Sequence, residues 1–139
     1  YKLIVDRATF GGATNMILRL STDGGSSFVA SAGAYAYALQ VPAGATTELF
    51  DRGTDTVIYV SAATSSDTPV SGEIAIFNAR TATARTQVTA LMTGQRSEVA
   101  LGTQIFSGAR LAAEDNNAVR LLHPSGWTGG QITFIGVAP

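Results

Sequence analysis

Residues 34–41, AYAYALQV, decide the fold class, because large and small side chains alternate along them without a break. Tyr35, Tyr37 and Leu39 occupy every second position, and Ala36 and Ala38 lie between them. Successive side chains of a strand point to opposite faces of a sheet, so this period of two indicates a β-strand. Tyr35 and Tyr37 share a face, and we expect at least one of them to be buried.

The same period recurs along the whole chain. We predict further strands at residues 2–8, 15–21, 56–62, 72–79, 86–94, 97–106, 117–122 and 131–137. The apolar side chains predicted to share a face within one strand are Met16, Leu18 and Leu20; Ile74 and Ile76; Val119 and Leu121; and Ile132 and Phe134, the last pair pointing inward. About nine short strands separated by turns are typical of a sandwich or barrel.

Turn residues separate these strands. Asp23-Gly24-Gly25 is a strong hairpin-type signal, and residues 51–55 (DRGTD), 65–72 (SSDTPVSG) and 123–126 (HPSG) are predicted to be turns as well. Residues 109–122 are ambiguous, since their first half could form a short helix. We therefore predict one all-β domain over residues 1–139, a two-sheet antiparallel β-sandwich of jelly-roll type that forms part of a longer chain.

The composition argues against several classes of partner. Charged residues are 14% of the chain, its net charge is −1, and its basic residues are scattered. Nucleic-acid binding requires a concentrated basic surface, so we expect no nucleic-acid partner. No apolar run approaches the roughly 18 residues of a membrane span, and we expect no membrane insertion. With no cysteine and one histidine, we expect no metal and no cofactor.

Four stretches resemble, in this order, a domain that is common in tail and tail-fibre proteins of tailed bacteriophages: NMILRLSTDGGSSF (15–28), YAYAL (35–39), SGEIAIFNA (71–79) and NAVRLLHPSGWTGGQITFIGV (117–137). The similarity spans almost the whole chain. Val119 and Ile135 replace the isoleucine and tyrosine that are usual in the family, and both are packing substitutions. The resemblance implies a jelly-roll β-sandwich, a structural role in the virion, trimeric assembly and, in some members, host-surface contact. It implies no catalytic residue.

Aromatic residues are the first candidates for a binding site. Trp127, the only tryptophan, follows the only histidine, His123, by four positions across a Pro-Ser-Gly turn. Trp127 could close the end of the sandwich, lie in a subunit interface or stack on a sugar ring. Tyr35, Tyr37 and Tyr59 carry the same alternatives.

Asn116 and Asn117 are the polar candidates. Together with Glu114 and Asp115 they form a cluster that could bind a sugar hydroxyl or a cation. The alternative is a turn in which these side chains cap the backbone.

Other charged residues favour structural interpretations. Asp51 and Asp55 could form the carboxylate pair of a glycosidase, but a solvated loop with a local contact to Arg52 is the favoured interpretation. Asp23 is a single carboxylate where a calcium loop needs several oxygen ligands. His123 has no nucleophile and orienting acid at a suitable spacing. We therefore expect no catalytic residue and no enzymatic activity.

The leading hypothesis is a virion structural module, a tail-fibre or tail-tip domain at the surface of the phage particle. We expect it to self-associate as a homotrimer, to contact other virion proteins and to bind a host cell-surface glycan. A purely structural head- or tail-decoration protein without a receptor is the alternative. A polysaccharide-degrading enzyme that uses Asp51 with Asp55, or Glu114 with Asp115, is a lesser alternative.

Overall fold

A computed structural model describes residues 1–42, 48–61, 68–96 and 100–136. These segments contain strands and turns and no helix, and hence no helix that could cross a membrane. The strands are β1 (Lys2–Phe10), β2 (Ile17–Ser21), β3 (Tyr35–Pro42), β4 (Glu48–Asp55), β5 (Ile58–Tyr59), β6 (Val70–Phe77), β7 (Arg85–Arg96), β8 (Ala100–Ala113), β9 (Ala118–Leu122) and β10 (Trp127–Ile135). The predicted strand ends at residues 62, 97–99 and 137 and the predicted turn residues 65–67 lie outside the described residues.

The strands form two antiparallel sheets. The larger sheet has seven strands in the order β10-β1-β6-β7-β8-β3-β4, and the smaller has three in the order β5-β2-β9. The prediction of an all-β protein made of two packed antiparallel sheets is therefore confirmed, with ten strands where the sequence predicts about nine.

The core lies between the two sheets. Side chains that are paired across antiparallel strands lie on the same face of a sheet. One row runs across five neighbouring strands of the larger sheet through Leu3, Ile74, Ala90, Phe106 and Leu39. The first four are buried and Leu39 packs against them, so this row marks the inner face of the larger sheet.

The smaller sheet contributes the other half of the core. Met16, Leu18 and Leu20 are buried, as their shared face predicts. Each buried side chain of this size contributes about 1.5–3 kcal/mol to folding. The Tyr35 hydroxyl connects the two sheets, since it accepts a hydrogen bond from the Leu20 amide at 3.0 Å and donates one to the Val29 carbonyl at 3.2 Å.

The predicted faces of the other strands agree with the burial of their side chains. Ile74 and Ile76 are buried, whereas Phe77 on the opposite face is 50% exposed. Val119 and Leu121 pack together against the core from β9. The turn signal at residues 123–126 is confirmed, because the Gly126 amide donates to the His123 carbonyl at 2.9 Å.

Residues 51–55 are not the turn that their composition predicts. They form the second half of β4, which pairs with β3 over its whole length. Aspartate and glycine are depleted in strands, so local preference favours a loop here. Pairing with β3 overrides that preference, and it places Asp51 and Asp55 on an edge strand where water still reaches them.

The helix considered for the first half of residues 109–122 does not form. β8 continues to Ala113, and residues 114–117 make the turn to β9. Arg110 helps to hold the chain extended, since it donates to the Ala34 carbonyl at 2.8 Å and pairs with Glu114 at 2.6 Å. The Leu111 amide also donates to the Ala34 carbonyl.

β10 is an edge strand with one unexpected property. Ile132 and Phe134 are paired with Val5 and Leu3 and therefore point inward as predicted. They nevertheless remain 39% and 54% exposed. A groove of about 330 Å³, bordered by Phe134 on one side and Val119 of β9 on the other, separates Phe134 from the smaller sheet. The smaller sheet is too narrow to cover this edge.

A bulge distorts the pairing of β1 with β10. The register shifts between Asp6 and Thr9, and Arg7 in this segment has a positive φ of 49°. On the opposite strand Gly130 has a φ of 95°, and a Cβ atom there would lie 2.5 Å from the Ala8 Cα atom. The sequence predicts the last strand from residue 131, but β10 begins earlier, at Trp127.

Candidate functional site

The open edge of the sandwich beside β4 brings together two tyrosines and two aspartates. Tyr37 from β3 and Tyr59 from β5 belong to different sheets, and their rings meet edge to face with centroids 5.0 Å apart and planes at 81°. Asp51 and Asp55 of β4 lie beside them. We call these four residues the tyrosine–aspartate cluster.

The backbone of β4 explains how the Tyr37 ring is positioned. Gly53 is the register partner of Tyr37 and separates Asp51 from Asp55 on the same face. A Cβ atom at Gly53 would lie 3.2 Å from the Tyr37 hydroxyl oxygen, so the ring lies close over this backbone. Such cover of a glycine by an aromatic ring on the neighbouring strand is a recognised device of β-sheets.

Each tyrosine donates a hydrogen bond to one aspartate. The Tyr37 hydroxyl donates to Asp51 Oδ2 at 3.2 Å, and the Tyr59 hydroxyl donates to Asp55 Oδ2. The other oxygen of each carboxylate accepts from the backbone amide of the following residue, at 2.8 Å for Asp51 and 2.6 Å for Asp55. An ionised carboxylate has about four lone-pair positions, so both aspartates keep acceptor capacity for a ligand.

These contacts change the pKa values of the cluster. The hydrogen bond to Asp55, with burial as the second cause, raises the pKa of Tyr59 to about 12. Burial, followed by the Asp51 charge, also raises the pKa of Tyr37. The hydrogen bond from Tyr59 lowers the pKa of Asp55 below its usual range. At neutral pH both phenols are therefore protonated and Asp55 is an ionised acceptor.

A surface depression lies next to the cluster. Its volume is about 390 Å³, and it curves around the β4 edge. The lining residues are Ala38, Leu39, Phe50, Asp51 and Arg52. Phe50 is 68% exposed, so this edge offers an apolar ring as well as the carboxylate of Asp51.

Trp127 lies on β10, at the opposite edge of the larger sheet from this cluster. Its ring meets the buried Phe10 ring edge to face at 4.9 Å and remains 37% exposed. The His123 ring stacks on the same Phe10 ring, with 3.8 Å between the centroids. Trp127 therefore closes this end of the core in part and leaves one side accessible.

His123 has a structural environment. It is 5% exposed, and its Nε2 atom lies 3.0 Å from the Thr14 carbonyl oxygen, a geometry in which a protonated Nε2 donates. Burial lowers the pKa of His123, and the hydrogen bond to Thr14 opposes this shift in part. The imidazole is therefore neutral at neutral pH.

Three other predicted ligand residues are structural in this fold. Tyr35 is fully buried and not available to a ligand. Asn116 is 3% exposed and donates to Thr86 Oγ1 at 2.9 Å. Asn117 accepts from the Gly24 amide at 2.8 Å and donates to the Thr22 carbonyl at 2.9 Å, so it holds the turn after β2.

Glu114, Asp115 and Asp23, the other acidic residues considered as candidates, have partners within the fold. Glu114 pairs with Arg110, and Asp115 lies 3.1 Å from Arg80 Nε. Asp23 accepts from Ser21 and Ser27, and these hydrogen bonds lower its pKa. The described residues contain no group of three or more side chains that could hold a metal ion.

The sequence contained part of the signal for the cluster. Tyr37, Tyr59, Asp51 and Asp55 are each candidates on composition, but nothing local links them. An alignment of β3 with β4 as a hairpin pairs Tyr37 with Gly53 and would have indicated the two aspartates beside it. The contact between Tyr37 and Tyr59 joins two different sheets. The alternation of side chains along a strand gives no information about a contact of this kind.

No family model, no curated protein and no solved structure matches this chain.

Proposed function

We propose that this chain is a structural domain at the surface of a bacteriophage virion, in a tail fibre or tail tip, and that it attaches to a host-surface glycan through the tyrosine–aspartate cluster. The virion assignment follows from the resemblance of the four sequence stretches. The glycan assignment rests on one observation, the meeting of two partly exposed tyrosine rings with two carboxylates at an open sheet edge.

Sugar recognition combines an apolar platform with fixed acceptors for hydroxyl groups. Tyr37 and Tyr59 supply ring surface that loses little entropy on binding, because tyrosine has few rotatable bonds. Asp51 and Asp55 supply oxygens whose positions are fixed by hydrogen bonds from the tyrosines and the backbone. Fixed groups of this kind reduce the cost of ordering the site when the ligand arrives.

The charge of the cluster selects among sugars. Both hydroxyl protons of the tyrosines are engaged by the aspartates, so the cluster presents mainly acceptors and negative charge. A neutral sugar can donate its hydroxyls to these oxygens, and an amino sugar adds a favourable charge. A sugar acid would be repelled. The proposed ligand class is therefore a neutral or amino sugar.

Binding fits the cluster better than hydrolysis does. A glycosidase needs one carboxylic acid that stays protonated, which requires a raised pKa. The pKa of Asp55 is lowered by Tyr59, which favours the ionised form. This direction supports a role for Asp55 as an acceptor.

A glycan array followed by calorimetry tests the proposal. We expect binding to neutral or amino sugars, and at least a tenfold loss of affinity in Tyr37→Ala and in Tyr59→Ala, since stacking on one aromatic ring contributes about 1–3 kcal/mol in comparable sites. Tyr1→Ala is the matched control, because Tyr1 is also partly exposed but stacks on Phe134 at another edge. If the unmodified chain binds no glycan, the purely structural alternative is favoured.

A further inference from the structure

The outer face of the larger sheet, turned away from the smaller sheet, carries a ridge of large side chains. Leu91 on β7 and Ile105 on β8 are register partners there, and they are 50% and 46% exposed. Ile4 and Phe50 lie further out in the same row, on β1 and β4, with Glu73 of β6 between Leu91 and Ile4. We call Leu91 and Ile105 the ridge.

A hollow lies directly beside the ridge. One step further along β3, β7 and β8, the outer face carries only small side chains and one glutamine, and they surround a depression of about 330 Å³. Its outer-face residues are Ala36, Ala38, Gln87, Thr89, Ser107 and Ala109. We call these residues the hollow.

Charge is absent from this part of the face. Residues 36–40, 87–93 and 103–109, which form the ridge and the hollow on three adjacent strands, include no Asp, Glu, Lys or Arg. The centres of protein interfaces are depleted in charged residues, whereas an exposed sheet face normally carries them. A charged partner such as a nucleic acid or an anionic membrane therefore has nothing to bind here.

We propose that this face binds a second copy of the same chain in a twofold, face-to-face dimer. The axis lies in the plane of the interface, between the row of Leu91 and Ile105 and the row of Thr89 and Ser107. Rotation about that axis places the ridge of each copy over the hollow of the other. A twofold interface uses the same patch on both subunits, so a ridge beside a hollow on one face satisfies both copies at once.

The size of the face fits a stable dimer. Seven strands spaced about 4.8 Å apart, each contributing about six residues of about 3.4 Å, give roughly 700 Å² a subunit for the whole outer face. The ridge and the hollow form its uncharged centre on β7, β8 and β3, and Lys2, Glu73 and Arg52 lie around this centre as a charged rim. A standard interface buries about 800 Å² a partner. Two sheets packed in this way lie about 10 Å apart, with their strands crossing at about 30°. The inference does not depend on glycan binding, and it differs from the trimer that the resemblance implies.

Light scattering after size-exclusion chromatography measures the mass of the assembly over a range of concentrations. We expect the mass of two chains. Leu91→Glu and Ile105→Glu on the ridge should each raise the dimer dissociation constant by at least about 100-fold, since they place a charge in an apolar interface. Ala38→Arg in the hollow should do the same by filling it. Phe134→Glu, which changes an equally exposed residue off this face, should leave the dimer intact.

A thiol cross-link tests the geometry independently. The chain has no cysteine, so Ser107→Cys introduces a single thiol on the face and Ala30→Cys introduces one in an exposed loop. A bis-maleimide that spans about 10 Å should link only the Ser107→Cys chains in pairs. A single-chain mass at every concentration, or a dimer that persists in the ridge and hollow variants, would overturn the proposal. A mass of three chains would overturn the twofold arrangement and support the trimer.

Discussion

The ring of Tyr37 lies over the backbone of its cross-strand partner Gly53, so close that a Cβ atom on the glycine would lie 3.4 Å from two ring carbons. This contact fixes the tyrosine beside Asp51, to which its hydroxyl donates. The geometry of the proposed binding site therefore depends on the absence of a side chain at one position.

Gly53→Val should displace the Tyr37 ring and break its hydrogen bond to Asp51. We expect at least a tenfold loss of glycan affinity and a decrease of about 1 kcal/mol in the free energy of unfolding, because overfilling a close contact shifts neighbouring groups. Thr54→Val is the control, since Thr54 lies next in β4 with its side chain exposed on the opposite face. Calorimetry and urea unfolding measure the two effects. Equal affinity in both variants would contradict this account.

Alkaline titration should reveal the Tyr59–Asp55 pair. Because the pKa of Tyr59 is raised to about 12, its hydroxyl should ionise well above the ordinary value of 10.0. The interaction that raises the Tyr59 pKa stabilises the folded chain fully below pH 10. This contribution is lost as the pH rises through the pKa that Tyr59 has in the folded chain. Phenolate absorbance of the unmodified chain minus that of Tyr59→Phe isolates this group. In Asp55→Asn the transition should move towards pH 10; an unchanged transition would rule out Asp55 as its cause.

Mild acid should destabilise the end of the sandwich that holds His123. Burial lowers the pKa of His123 from its ordinary 6.5, so the unfolded chain takes up the proton first. The contribution of His123 to stability is therefore complete above pH 6.5, and it falls as the pH drops through the pKa of His123 in the folded chain. Urea unfolding followed by Trp127 fluorescence should show this loss between about pH 7 and pH 5.

His123→Gln is the control for the acid prediction, because it removes the only histidine of the chain. The variant loses the stacking contact with Phe10 and should be less stable at every pH. Its stability should nevertheless be constant between about pH 7 and pH 5, where no other side chain ordinarily titrates. A slope equal to that of the unmodified chain would assign the effect to another group.

Gly130→Ala should detach β10 from β1. Gly130 has a φ of 95°, and an added Cβ atom would lie 2.5 Å from the Arg7 carbonyl oxygen. Strain and collision together should lower the free energy of unfolding by more than about 2 kcal/mol and increase the exposure of Trp127 to a fluorescence quencher. Gly136→Ala, where no atom lies within 4 Å of the added group, should change stability by less than about 0.5 kcal/mol. Equal stability of the two variants would contradict the strain at the bulge.

The alternation of apolar side chains predicted the strands well, because a strand that covers the core must bury every second side chain. Met16, Leu18 and Leu20 are buried on one side, and that requirement leaves a period of two in the sequence. The same logic fails for residues 51–55. Their Asp and Gly residues indicate a turn, and only pairing with β3, which is not visible locally, makes them a strand.

The direction of a side chain could be predicted better than its burial. Ile132 and Phe134 point to the inner face, but burial also needs a partner sheet above them. The width of the smaller sheet depends on which strands join it, and that is a property of the whole fold. For the same reason the meeting of Tyr37 with Tyr59, which joins strands of different sheets, could not be inferred from either segment.

The pairing of Lys2 with Ile135 has a mechanical consequence. β1 and β10 are antiparallel neighbours, so the chain enters and leaves this sheet at the same end. A force that pulls these two points apart acts across the strands, and it loads the hydrogen bonds of the ladder one after another. Under tension β10 would therefore unzip from β1 at low force, and the bulge at Arg7 and Gly130 is where such peeling would reach its first irregular pair.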